Sequence, residues 1–174
     1  FANGGTRCYV SRIIPKDAKK ATAKKGFLDV AAANEGKWGN KIQITLNTVT
    51  KRKMQLVGKN GEAYIAKTVD GFREGDLVVA GEEYSRIKSI FDNSIVFEQE
   101  FKGEVVDTAL IPTTVVYLVE TDMSIRYGED VENYAGLSTN IANPNFFGYR
   151  LANSELVKVN ADVSDVIGNP VEAI

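Results

Sequence analysis

The chain has 174 residues, the length of one ordinary domain or of one domain carrying a small insert. It contains one cysteine and no histidine, which excludes an internal disulfide, a Ser-His-Asp triad, a Cys-His dyad and nearly all zinc sites. It also lacks the glycine-rich loops that bind phosphates and dinucleotides. We therefore predict no catalytic, cofactor-binding or metal-binding residue.

The formal net charge is −2, but the charge is unevenly distributed. Residues 1–60 hold 13 Lys/Arg and 3 Asp/Glu, a net of +10, whereas residues 61–174 hold 8 and 20, a net of −12. This asymmetry indicates an anionic partner or head-to-tail contact between copies. The alternative is that the two halves interleave in space and neutralise each other. No apolar run approaches the roughly 20 residues that cross a bilayer, so we predict no membrane insertion.

The first ten residues combine a turn with the start of a strand. Asn3, Gly4 and Gly5 tolerate positive φ and so can reverse the chain. The β-branched and aromatic residues that follow predict a strand over 7–14, which Pro15 ends. A turn needs an element before it, so we expect the chain to be a piece of a larger protein.

Residues 16–25 are rich in lysine and alanine and lack an apolar stripe, which predicts a short exposed helix or a loop. They contain five lysines, but no aromatic side chain to stack on a base and no arginine to read one. We therefore predict no nucleic-acid partner.

Two strands flanking a loop are predicted next. A short strand covers 27–32, and two glycines and two asparagines make 34–40 a loop. Trp38 in this loop is expected to hold the turn against the core through its large apolar area. The segment 41–47 alternates cleanly, which predicts a strand with Ile42, Ile44 and Leu46 inward and Gln43, Thr45 and Asn47 outward. A further strand is predicted over 54–57, and a turn at 59–61.

The region 62–112 has turn signals every eight to twelve residues, with short strands between them. The predicted strands are 77–80, 84–91, 95–101 and 105–111. Two of them meet at Asp92-Asn93, which predicts a hairpin. Short antiparallel strands at this spacing predict a small closed barrel, and the opening segment 72–78 resembles that of SH3-like barrels.

The last third is predicted to carry two short helices. After the apolar run 115–119, Val131, Tyr134 and Leu137 follow at helical spacing, with acids in the first turn. This pattern predicts a helix over 129–137. Asn143-Pro144 has the form of a helix start and predicts the last helix. Its residues Phe146, Phe147 and Leu151 are expected to lie in the core. A final strand is predicted over 156–159, and 162–174 shows no clear pattern.

The predicted fold class is α+β, mainly β, with a mixed or antiparallel sheet, a few short helices and a small SH3-like antiparallel barrel. We divide the chain into a discontinuous domain of 1–60 and 113–174, and an inserted barrel of 61–112.

Four segments keep an order and spacing known from one family: 1–13 (FANGGTRCYVSRI), 32–44 (AANEGKWGNKIQI), 132–138 (ENYAGLS) and 153–157 (NSELV). They resemble the sheath proteins of contractile phage tails and related contractile injection systems. The resemblance covers about 1–48 and 115–160, and the barrel between them looks like a member-specific insert. The residues that carry the resemblance are Phe1, Asn3, Gly4, Gly5, Cys8, Tyr9, Val10, Gly36, Trp38, Gly39, Asn40, Tyr134, Leu137 and Ser138.

The resemblance implies a structural subunit of a virion tail, made in the cytoplasm of a host bacterium. Sheath subunits form stacked hexameric rings around an inner tube and contract to drive the tube through a cell envelope. Their partners are other sheath subunits, linked by strands that extended arms donate, and the tube protein. Both arms and most of the family's C-terminal core are missing from this chain, so we expect it to be an outward-facing middle region and a monomer.

Two other functions stay open from the sequence. The barrel around 62–112 is the candidate for a surface module that binds a glycan or a protein. Catalysis by carboxylates alone would need a paired cleft, and no pair stands out among the 23 Asp and Glu residues. We therefore predict that the protein is not an enzyme.

Overall fold

The computed structural model describes residues 13–25, 28–102, 114–159 and 167–170. In these ranges the protein is mainly β, with twelve strands, one 3-10 helix and one short α-helix. The strands form two three-stranded sheets and one closed six-stranded barrel. The predicted mainly-β class and the antiparallel barrel are confirmed, whereas the SH3-like type of the barrel stays a prediction. None of the described helices has the length and apolar character to cross a membrane.

Sheet A brings the two ends of the described chain together. Its order is β1-β2-β12, where β1 is Thr22–Lys25, β2 is Leu28–Ala32 and β12 is Val157–Val159. Both pairings are antiparallel. Leu28 and Val30 of β2 are buried in a core shared with the second sheet.

Sheet B has the order β11-β10-β3, where β3 is Gln43–Val49, β10 is Glu120–Tyr127 and β11 is Asp130–Leu137. All its pairings are antiparallel. The predicted alternation along β3 is confirmed. Ile42, Ile44 and Leu46 lie on the core face of this segment. Gln43, Thr45 and Asn47 lie on its exposed face.

The barrel closes in the order β4-β5-β8-β7-β6-β9. Its strands are β4 (Lys53–Asn60), β5 (Ala63–Ala66), β6 (Leu77–Ala80), β7 (Glu83–Phe91), β8 (Ser94–Phe97) and β9 (Thr114–Leu118). It has a core of its own, in which Tyr64 packs against Phe97 with ring centroids 5.3 Å apart. The predicted hairpin is present: Phe91 pairs with Ser94, and Asp92 takes a φ of 51° in the turn.

The barrel includes more of the chain than the predicted insert of 61–112. Strand β4 lies before that range and β9 lies after it, and the two pair with each other to close the barrel. The frequent turns that marked the insert begin only after β4. Because β4 and β9 continue directly from the strands of sheet B, their sequences do not show where one unit ends and the other begins.

Residues 22–25 form strand β1 rather than the predicted helix or loop. Thr22 to Lys25 pair in register with Ala31 to Leu28 of β2. The segment has no apolar stripe because β1 is an edge strand with exposed side chains at residues 22–24. Lysines are common on such edges, where their charge discourages pairing with another chain.

Residues 130–137 form strand β11, so the predicted helix over 129–137 is wrong. The cause is a β-bulge: Thr121 pairs with Leu137 and Met123 pairs with Tyr134, leaving two residues of β11 opposite one residue of β10. Gly136 in the bulge has a φ of 63°. The bulge turns both Tyr134 and Leu137 toward the core, and their spacing of three imitates a helix.

The α-helix, α1, is Phe147–Leu151, so it starts later than the predicted Asn143-Pro144 cap. The side chain of Asn143 instead accepts a hydrogen bond from the backbone N–H of Asn145 at 2.9 Å, which forms a turn before the helix. The predicted burial of Phe146, Phe147 and Leu151 is confirmed.

Several predicted features lie wholly or partly outside the described residues: the turn at 3–5, most of the strand 7–14, the strand 105–111 and most of the tail 162–174. Of the first strand, Ile13 and Ile14 are described, and neither belongs to a strand. The strand predicted over 95–101 ends at Phe97. The predicted loop 34–40 runs into a 3-10 helix, Lys37–Lys41.

Gly39 is a position where a side chain does not fit. A Cβ atom there would lie 2.7 Å from Cβ of Ala32 and 2.8 Å from Cβ of Ala21. We expect Gly39→Ala to lower the free energy of unfolding by about 2 kcal/mol, because the loop must move away from sheet A. Gly58→Ala is the matched control, since its nearest neighbours would be at an ordinary 3.7 Å. Urea denaturation of both variants checks this, and equal stabilities would contradict it.

Candidate functional site

The carboxylate of Glu132 connects two segments that are far apart in the sequence, 132–138 and 153–157. Its Oε2 atom accepts hydrogen bonds from the hydroxyls of Ser154 at 2.6 Å and Tyr134 at 2.9 Å. Its Oε1 atom accepts from the backbone N–H groups of Glu155 at 2.9 Å and Leu156 at 3.2 Å. The segment 132–138 is therefore bonded directly to the segment 153–157.

These hydrogen bonds keep Glu132 ionised. Burial alone would raise its pKa, but the donors from Ser154, Tyr134 and the two backbone N–H groups favour the carboxylate and lower it. Because its pKa in the folded state lies below the unfolded value, Glu132 stabilises the fold at pH values above the ordinary pKa range of glutamate. That contribution is lost as the pH falls through the folded pKa. Burial and the neighbouring Glu132 carboxylate raise the pKa of the Tyr134 phenol.

Leu137 and Ser138 attach sheet B to the helix. The Leu137 side chain is fully buried. The backbone N–H of Ser138 donates to the carbonyl of Asn145 at 2.9 Å, and the N–H of Phe147 donates to the carbonyl of Ser138 at 3.1 Å. These bonds position the first turn of α1 against the end of β11.

The Trp38 loop packs against the other end of sheet B. The Trp38 indole meets the Tyr127 ring edge to face, with centroids 5.3 Å apart, and its Nε1 donates to the carbonyl of Glu35 at 3.2 Å. Gly36, immediately before the 3-10 helix, has a φ of 124°, a value that favours glycine. Gly39 is buried next to sheet A, and Asn40 beside it is exposed.

The structure therefore places seven of the residues that carry the resemblance: Gly36, Trp38, Gly39, Asn40, Tyr134, Leu137 and Ser138. All but Asn40 are at least partly buried. Of these, Trp38, Tyr134 and Leu137 belong to the core that sheets A and B share. The other seven, Phe1, Asn3, Gly4, Gly5, Cys8, Tyr9 and Val10, lie outside the described residues.

A buried polar junction links the barrel to the end of β11. The Asn140 side chain donates from Nδ2 to Oδ1 of Asp76 at 2.7 Å and to the carbonyl of Glu74 at 2.9 Å. The backbone N–H of Arg73 donates to Oδ2 of Asp76 at 2.9 Å. A side chain at Gly75 would lie 2.8 Å from Oδ1 of Asn140, so the two parts are in close contact here.

Arg86 of β7 adds a second connection across this junction. Its Nη1 donates to the carbonyl of Gly75 at 2.7 Å, and its Nη2 donates to the hydroxyl of Thr139 at 3.2 Å. Both Arg86 and Thr139 are buried. Hydrogen bonds that bridge two units in this way fix their relative orientation.

Burial raises the pKa of Asp76, although the hydrogen bonds from Asn140 and Arg73 act in the opposite direction. Because the folded pKa is raised, ionisation of Asp76 costs the folded state stability. Its contribution is therefore most favourable below the ordinary aspartate range and declines as the pH rises through the folded pKa.

Sequence reasoning missed this junction. The glycine and the two acids of the segment 74–76 are residue types typical of a turn, as the turn signals in 62–112 predict. Nothing local indicates that Asn140, 64 positions later in the chain, covers it. Arg86 gives no local signal either, because it lies close to Ser85 and Lys88 in a strand of mixed polar and apolar residues.

The outer surface of the barrel carries a row of uncharged residues, two of which are exposed apolar side chains. Gly58 pairs with Ile65, Ile65 with Ser94, and Ser94 with Phe91, so these residues cross four adjacent strands. Phe91 is 79% exposed and Ile65 is 39% exposed. Phe91 is the most exposed aromatic side chain in the described barrel, and Ser94 lies between it and Ile65.

Sheets A and B also have edge strands. Within the described ranges, β1, β12, β3 and β11 each pair along one side only. The other side of such a strand presents backbone N–H and C=O groups that a further strand can use.

No protein-family model, curated protein or solved structure matches the chain.

Proposed function

We propose that the chain is part of a structural subunit of a contractile tail sheath. In this function its subunits stack as hexameric rings around an inner tube, and contraction drives the tube through a cell envelope. Its partners are other sheath subunits and the tube protein. The free energy of contraction is stored in contacts between subunits, so the function needs no catalytic group.

The observation that carries this proposal is the packing of the segments that resemble sheath proteins. They are separated in the sequence, yet the described ones share one core. Three of the four hydrogen bonds of Glu132 join two of them, and the Trp38 loop packs on Tyr127 of the same sheet.

The arrangement also suits an assembly built by strand exchange. Edge strands such as β3 and β11 offer backbone groups to the arm of a neighbouring subunit. The barrel has its own core and is held by the junction at Asp76 and Asn140. We assign it to the outer surface of the sheath.

Immunogold electron microscopy tests this function in cells that produce the protein. Antibodies raised against the purified chain are expected to label contractile tails along their whole length. Preimmune serum is the control. Contractile tails without label, or a protein found only outside such particles, would contradict the proposal.

A second candidate function is favoured by one observation, the 79% exposure of the Phe91 side chain on the barrel. A surface module that binds a glycan or a protein would use the Phe91 ring, because sugar rings and apolar side chains pack on exposed aromatics. In the immunogold experiment, label confined to one end of the particle favours this function. Glycan-array binding that Phe91→Ala abolishes would support it, and binding that Phe91→Ala leaves unchanged would count against it.

A further inference from the structure

Lysine side chains from two separate segments, 16–24 and 29–41, surround a hollow beside sheet A. The hollow has a volume of about 280 Å³, and Lys19, Lys20 and Lys37 line it. Three more exposed lysines lie in the same segments, Lys16, Lys24 and Lys41. We call these six lysines the basic end; the acids in these segments are Asp17, Asp29 and Glu35.

Backbone hydrogen bonds hold the two segments of the basic end together. The N–H of Gly36 donates to the carbonyl of Lys19 at 3.1 Å, and the N–H of Ala32 donates to the carbonyl of Ala21 at 2.8 Å. The Nζ of Lys20 donates to the carbonyl of Ala33 at 2.9 Å. The lysines are therefore carried by an ordered surface.

Glutamates gather at one end of the barrel. They come from the β4–β5 turn, the β6–β7 turn and the chain after β8, and they are Glu62, Glu82, Glu83, Glu98 and Glu100. The backbone N–H of Lys102 donates to Glu83 at 2.8 Å, which brings the chain after β8 beside the start of β7. Lys59 pairs with Glu100 at 3.2 Å. We call these five glutamates the acidic end; Lys59 and Lys102 are the bases beside it.

The two ends belong to different parts of the molecule. In the described chain, the extensive contacts of sheet A strands are with one another and with α1, and none is with a barrel strand. The basic end lies before β3 and the acidic end begins after β4, so these two strands separate the two ends along the chain. The second half of the chain reaches sheet A as α1 and β12. The charged residues of that described stretch are Arg150, Glu155 and Lys158, so it does not neutralise the lysines of the basic end.

We propose that the basic end of one copy docks on the acidic end of another copy. This inference rests on the proposed function, because it identifies one contact between subunits. The formal charges match, with six lysines and three acids at the basic end and five glutamates and two lysines at the acidic end. The basic end has no arginine or aromatic residue among those that line the hollow, which disfavours nucleic acid as the anion.

A contact between two different surfaces of the same protein is heterologous, so it continues from copy to copy and gives a ring or a helical row. Exposed charges attract each other strongly only at low ionic strength. We therefore expect the isolated chain to be a monomer at physiological salt and to associate reversibly at about 20 mM salt, with association at least tenfold weaker at about 500 mM.

Charge-reversal variants of the full chain test the contact by sedimentation velocity. Lys19→Glu with Lys37→Glu reverses the basic end, and Glu62→Lys with Glu82→Lys reverses the acidic end. Each variant alone is expected to lose the low-salt association, and an equimolar mixture of the two is expected to regain it. The matched control is Lys67→Glu with Lys88→Glu, two exposed lysines elsewhere on the barrel, which should associate like the wild type.

Three results would overturn the contact: a wild-type chain that stays monomeric at low salt, reversed variants that associate like the wild type, or a mixture that does not associate. Short DNA, added at low salt, tests nucleic acid as the alternative anionic partner. If the chain bound DNA more tightly than a second copy, the proposed contact would also be overturned. Tails that carry the immunogold label although the chain fails these tests would leave the proposed function intact. Charge-dependent association of a chain whose antibodies label no tails would support the contact between copies and contradict the proposed function.

Discussion

Replacing Asn140 with alanine is expected to lower the free energy of unfolding by about 3 kcal/mol at neutral pH. The substitution removes the donor to Asp76 at 2.7 Å and the donor to the Glu74 carbonyl at 2.9 Å. It leaves a buried carboxylate with fewer hydrogen bonds, which is more costly than the loss of a bond between exposed groups. Urea denaturation measures the effect.

The pH dependence of this effect identifies its cause. Asn140 stabilises the ionised form of Asp76, so its removal matters most where Asp76 is ionised. The destabilisation is expected to shrink as the pH falls and Asp76 becomes protonated. Asn133→Ala is the matched control, because Asn133 is exposed on β11, and it should change stability by less than about 0.5 kcal/mol. A loss that is the same at every pH would refute the assignment to Asp76.

Replacing Glu132 with alanine is expected to cost about 2 kcal/mol at neutral pH. Four donors lose their acceptor, but Glu132 is only partly buried, so water replaces some of the lost bonds. Because the pKa of Glu132 is lowered in the folded state, the difference between variant and wild type should disappear as the pH falls through that pKa. Chemical denaturation at a series of pH values measures it.

Glu129→Ala supplies the control for Glu132, since Glu129 lies exposed in the turn that precedes β11. It should leave the free energy of unfolding nearly unchanged. If both alanine variants were equally stable, the bonds between segments 132–138 and 153–157 would contribute nothing to the fold. The main support for the proposed function would then be lost.

Local patterns in the sequence predicted much of the β structure. Alternation located β3 with its correct faces, because one side of that strand meets the core and the other does not. The hairpin at Asp92-Asn93 was predictable because those residue types favour its turn geometry. In both cases the information lies within a few neighbouring residues.

Features that depend on distant partners were not predictable. Strand β1 has no hydrophobic pattern and exists through its pairing with β2. The bulge at Gly136 changed the spacing of Tyr134 and Leu137 from that of a regular strand to that of a helix. The bonds of Glu132 to the chain at 154–156 and of Asn140 to Asp76 join positions that no local pattern relates.

Cryo-electron microscopy of contractile tails from cells that produce the protein tests the central proposal most directly. The account predicts that sheets A and B with α1 fit the repeating subunit of the sheath wall, and that the barrel of β4 to β9 projects from its outer surface. A wall map into which neither unit fits at any repeating position would contradict it.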